Sequence, residues 1–306
     1  MNPQYTGALQ VAASAAGFAT LAIFIKFAYA AGASTTTILA WRFTLATICL
    51  ALLLKFRGIS LVLDKRMILR LALLGGLGYG TMSTFFALSI KYVPASLAAM
   101  LLYTYPAIVS VLSFFIGDER YTWQKGLALS VCFSGLFLVL GVSFDNANML
   151  GFVFGLGAAL VYSVYIVAGN RLLQNTNPLV TTTYVCASAA VVFLVSGLVS
   201  DSLNWALPLE GWLSIIGIAL LATIVGIVGF FAGMSRIGAI NASIISTLEP
   251  VITVLLSVAL LHEKITLLQV GGGILILGGI LFLQLWAGKN QNTQQEFALE
   301  VEKSSE

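Results

Sequence analysis

Charge is what this 306-residue chain has least of. Aspartate, glutamate, lysine and arginine together make up 9% of it, against 59% hydrophobic residues, and the mean hydropathy is +0.99. No water-soluble core needs so much apolar residue, so lipid is the expected solvent for most of the chain. Histidine occurs once and cysteine three times. Cys49, Cys132 and Cys186 each lie inside an apolar run and read as small buried hydrophobes without a disulfide. One imidazole and three scattered thiols are too few for a metal centre, and no metal or other cofactor is expected. They give acid–base chemistry equally little to use, so a membrane-embedded enzyme is the weaker reading. The first ten residues hold no basic group, and Lys26 interrupts the first apolar run. A cleavable signal peptide is therefore not expected there, although Ala28-Tyr29-Ala30 looks like a cleavage site.

What is present is a series of apolar runs separated by polar or Pro/Gly punctuation. Most are near the ~20 residues that cross a bilayer. They fall at about 6–30, 35–56, 68–91, 94–117, 122–142, 149–172, 178–200, 211–236, 239–261 and 265–287. Ten spans with short connections put both termini on one side of the membrane. Lysine and arginine in the connections then orient the chain. With the termini inside, the inner side holds Lys55, Arg57, Lys65, Arg66, Arg70, Arg120, Lys125, Arg171, Arg236, Lys289 and Lys303, and the outer side only Lys26, Lys91 and Lys264. Both termini are expected in the cytosol, in a multi-pass inner-membrane protein. Residues 289–306, rich in Gln, Asn and Glu, are expected to be a disordered tail.

The chain repeats itself at an offset of 144 positions. Pro106 matches Pro250, Glu119 matches Glu263, Thr122 matches Thr266, Gly7 matches Gly151, Lys26 matches Asn170 and Gly135 matches Gly279. Residues 1–146 and 147–288 are thus expected to be two copies of a five-span unit. An odd number of spans inverts the second copy. The fold class read from the sequence is all-α, with ten transmembrane helices as two inverted five-helix repeats. Secondary transporters have this architecture, with the substrate near mid-membrane between the repeats.

The candidate site centres on Glu249-Pro250. Glu249 lies about ten residues, or ~15 Å, into its span, and a carboxylate at that depth is expensive. It reads either as a proton-coupling or substrate-ammonium group, or as a packing group that caps backbone freed by Pro250. Arg42 lies at similar depth in span two. It reads as a partner of Glu249, as a clamp for a substrate carboxylate, or as a rim group snorkelling outward with Trp41. Tyr79, Tyr103, Tyr105, Tyr162 and Tyr165 fall near mid-depth and suit an aromatic-lined cavity or ordinary packing. Tyr103 and Tyr105 are two apart on a helix, so they are expected to point different ways. Ser246, one turn before Glu249, either contacts substrate or bonds back to its helix. Pro106 and Pro250 are the expected hinges, and Lys26 and Asn170 are expected at the rim. Glu119 and Glu263 read as structural carboxylates at helix starts. The glycines of 75–80 lack any strand–turn–helix context for a nucleotide loop and are expected to permit close helix packing.

Asn241 to Ser257, N-A-S-I-I-S-T-L-E-P-V-I-T-V-L-L-S, followed by His262 to Gly272, H-E-K-I-T-L-L-Q-V-G-G, resembles the EamA-type family of the drug/metabolite transporter superfamily. Pro94 to Pro106 fits the same template, and the resemblance covers about 1–287. Tyr105 stands where the second copy has Glu249, so any acidic role is not doubled. The resemblance implies that spans four and nine bend at their prolines and line a central cavity, with spans five and ten peripheral. It implies export of amino acids or related amines and derivatives, with uptake or efflux of a nucleoside, vitamin or drug as the alternative. The expected partners are a small-molecule substrate, lipid and, if Glu249 titrates, protons. No nucleic acid is expected, and the protein is expected to act as a monomer or homodimer.

Overall fold

The computed structural model describes residues 3–116, 122–141, 148–172, 176–283 and 285. Glu119 and the 289–306 tail lie outside them. The described residues form α1 (Pro3–Ala30), α2 (Thr35–Phe56), α3 (Lys65–Tyr92), α4 (Ala95–Phe115), α5 (Trp123–Gly141), α6 (Met149–Leu172), α7 (Pro178–Val199), α8 (Leu209–Ile237), α9 (Ala239–Leu261) and α10 (Leu267–Leu283). Eight are long and apolar enough to span a bilayer, and α5 and α10 are shorter apolar helices. This is an all-α integral membrane protein.

Four helices are irregular, and the irregularities repeat. Residues Leu74–Tyr79 of α3 form a wide π-helical turn, and so do Ile218–Val225 of α8, which begins 144 positions later. α4 consists of Ala95–Leu102 and Tyr105–Phe115; α9 consists of Ala239–Ser246 and Leu248–Leu261. The sequence predicts bends at Pro106 and Pro250, but both helices break before them. The cause is local. A proline ring collides with the carbonyl four residues back and has no N–H to donate to it. Those residues are Leu102 and Ser246, the last of each first piece. Each proline sits instead in the first turn of the second piece, where its missing N–H costs nothing.

The packing follows the same symmetry. α1 packs on α8 and α9, and its counterpart α6 packs on α3 and α4. α2 meets α7, and the split helices α4 and α9 meet each other. α5 and α10 meet at their glycines: a Cβ on Gly135 would lie 2.5 Å from the Gly272 oxygen, and one on Gly272 2.6 Å from the Gly135 oxygen. Cys132 Sγ donates to the Ile276 carbonyl in this contact (3.5 Å). At Gly75 a Cβ would lie 2.7 Å from the Cα of Val185, so α3 and α7 touch backbone to backbone. Gly75→Val should therefore destabilise the protein by about 1–3 kcal/mol through overpacking. A thermal midpoint in detergent equal to that of the wild type would mean that the two helices stand further apart.

Candidate functional site

The wide turn of α3 carries Tyr79, the break of α4 carries Tyr103 and Tyr105, and α6 supplies Tyr162 and Tyr165 one turn apart. Their rings form one continuous series. Ring centroids are 5.4 Å apart for Tyr79–Tyr165, 5.9 Å for Tyr162–Tyr165, 4.7 Å for Tyr105–Tyr162 and 6.0 Å for Tyr103–Tyr105. Phe43 and Phe193 extend the series beyond Tyr79, at 5.7 Å and 5.8 Å. Such edge and offset contacts add to what burial alone provides. Tyr79, Tyr105, Tyr162 and Tyr165 keep part of their surface accessible although they sit deep in the bundle, whereas Tyr103 is buried.

Tyr103 and Tyr105 share this cluster, contrary to the expectation that they diverge. That expectation treats α4 as one regular helix. The break after Leu102 removes the regular turn between the two residues and lets both rings face α6 and α9. Ser163 anchors the break by donating to the Tyr105 carbonyl (3.1 Å).

A charged group stands at each end. Glu249, half-buried in the first turn of the second piece of α9, is the electrostatic neighbour of Tyr103 and Tyr105. Arg42 is 2% exposed on α2. Its Nε donates to Thr223 Oγ1 (3.3 Å), its guanidinium lies 4.9 Å from the Phe43 ring centre, and Tyr79 is its electrostatic neighbour. It does not snorkel. Trp41 beside it packs edge-on against Trp205 and Trp212 at 5.4 and 5.5 Å. Arg42 and Glu249 share no bond: Arg42 donates to Thr223 and lies over the Phe43 ring, and Glu249 lies beside Tyr103 and Tyr105. Reversing both charges, Arg42→Glu with Glu249→Arg, should accordingly fail to rescue either single reversal. Recovery of flux in the double variant would show a direct pair.

The remaining candidates fall nearby or elsewhere. Ser246 bonds back to the Ala242 carbonyl (2.6 Å) at the end of its helix piece. Lys26 is half-buried near the end of α1, with Glu263 as its electrostatic neighbour. The Asn170 side chain lies outside the described residues. Sequence reasoning missed Thr223, which meets Arg42 across 181 positions, and the two phenylalanines. A small apolar cavity of about 150 Å³ flanks Tyr103 between α4, α9 and α10, lined by Met100, Pro250, Val254 and Gly273 among others.

The EamA-like transporter family model matches the chain twice, over residues 5–141 and 149–285. The chain belongs to the EamA-like transporter family. The double match coincides with the two sets of broken and widened helices. Two relatives from Bacillus subtilis are similar over most of their length. The uncharacterized transporter YcbK is 28% identical over 90% of this chain and 92% of its own. The uncharacterized transporter YyaM is 27% identical over 79% and 82%. An uncharacterized transporter of Archaeoglobus fulgidus is 31% identical over 63% of this chain and 68% of its own. A protein crystal structure shares the fold at a TM-score of 0.68 and 20% identity, over 94% of this EamA chain and 99% of that one.

Proposed function

We propose that this EamA protein is a secondary transporter that carries a small organic metabolite by alternating access, and that the metabolite bears both a cation and an anion. Amino acids, or related amines and derivatives, have that chemistry. The observation that carries the reading is the unbroken series of tyrosine rings between Glu249 at one end and Arg42 at the other. A carboxylate matches an ammonium group, a guanidinium matches a carboxylate, and tyrosine faces suit the apolar part between them. A mid-membrane carboxylate is also the natural proton carrier of such a site.

The two halves, 1–146 and 147–288, are the moving units in this reading, with hinges at Pro106 and Pro250. Lys26 and Asn170 lie at the rim. The asymmetry of lysine and arginine between the loops supports cytoplasmic termini. Export across a prokaryotic inner membrane is the direction that the family resemblance suggests. The purified protein, monomeric or dimeric, can be screened by thermal shift. An amino acid should raise the melting midpoint more than its analogues lacking the amino or carboxyl group. Stabilisation by nucleosides, vitamins or drugs alone would overturn the substrate class.

A further inference from the structure

Glu263 stands apart from the tyrosine-lined site and has its own set of bonds. α9 ends at Leu261, and His262 just beyond it takes the left-handed conformation (φ 52°, ψ 32°). The turn sends Glu263 sideways, away from α10. That helix has its own cap: Thr266 N–H donates to Gln269 Oε1 (3.0 Å) and Gln269 N–H to Thr266 Oγ1 (3.2 Å). The Glu263 carboxylate accepts from the first turn of α4 instead. Ala95 N–H donates to it at 2.6 Å, Ser96 N–H at 3.1 Å and the Ser96 hydroxyl at 2.6 Å. Pro94 occupies the usual capping position of α4 and has no side-chain oxygen to offer. A residue 168 positions away supplies the cap. One carboxylate thus ties the end of α9 to the start of α4, with Lys26 near the end of α1 as its electrostatic neighbour. Ten crossings place this tie on the membrane face opposite the termini.

We propose that Glu263 is the latch that closes the central site on that face, and that it releases the first turn of α4 whenever the site opens there. The inference rests on the alternating-access reading above. α4 belongs to the first repeat and α9 to the second, and these ends must part for a central site to open on this face. The bonds of Glu263 span that gap. Charge-assisted bonds are strong enough to hold it. They lie half-buried in a connection between helices, where water replaces them once they break, so the latch is reversible. The left-handed turn at His262 aims the carboxylate.

The test uses the full chain with Cys49, Cys132 and Cys186 replaced by alanine and a reporter, Tyr165→Cys, in the site. A membrane-impermeant maleimide is applied to vesicles of either orientation. Glu263→Gln should raise labelling about ten-fold from the face opposite the termini, with no rise from the other face, as expected for loss of a charge-assisted bond that biases two states. Ser96→Ala should act in the same direction and more weakly. His262→Gly, which keeps the turn, should leave labelling slow. An unchanged rate in a Glu263→Gln protein that melts normally would overturn the latch, as would an equal rise on both faces. If Glu263→Gln does not accumulate, Ser96→Ala decides by the same criterion. Failure of the transport reading is a separate result, absence of solute flux by the wild-type protein.

Discussion

Glu249→Gln should abolish the pH dependence of transport while leaving the protein folded and abundant. The amide keeps the shape and polarity of the side chain, so the α4–α9 packing survives. What it loses is the ability to gain and release a proton and to hold an ammonium group by charge. A charge-assisted hydrogen bond contributes about 1.5–3 kcal/mol, so substrate affinity should fall roughly ten- to hundred-fold. Removing a costly mid-membrane charge should leave the melting midpoint equal or higher. The measurement is flux into proteoliposomes across a series of pH values, beside a melting curve of the same preparation. A pH profile identical to that of the wild type would remove Glu249 from coupling.

Arg42→Met should give the complementary result: stability kept or gained, and transport lost. The Arg42 head has a hydroxyl, a phenol and an aromatic face around it, but no carboxylate among the described residues lies within bonding distance. A buried charge without a counter-ion is a cost to the fold, and an apolar residue of similar length relieves it. Its retention is explained if a substrate carboxylate completes the site. The variant should therefore raise KM for the native substrate about ten-fold or more. Arg42→Lys should recover only part, because an ammonium cannot present the planar fork of a guanidinium. A destabilised Arg42→Met protein with normal flux would make Arg42 a structural residue.

The fold was largely legible because lipid imposes long apolar runs and because the 144-residue echo is carried by prolines and glycines. These residues act on the backbone directly, as the paired breaks in α4 and α9 confirm. Where the breaks fall was less legible. The proline marks the start of the second piece, and the stop lies four residues earlier. From that shift comes the wrong expectation for Tyr103 and Tyr105, which assumes an intact helical turn between them. The tyrosines could be nominated by depth alone, but their order along the ring series depends on the wide turn of α3, and nothing in Leu74–Tyr79 beyond its glycines announces it. Depth likewise made Arg42 and Glu249 look like partners. The rotation of α2 and α9 about their own axes decides that question, and hydropathy does not encode it. Glu263 was visible as an acid between helices, but the helix it caps lies 168 positions away and could not be read locally.

Proteoliposome flux with the twenty amino acids, each paired with its amine and acid analogues, tests the central claim most directly. Saturable flux of at least one amino acid, competed by that amino acid and much less by analogues lacking either charged group, is the expected result. Flux of only singly charged or neutral solutes, or no flux of any amino acid by folded protein, would contradict a site built between a carboxylate and a guanidinium.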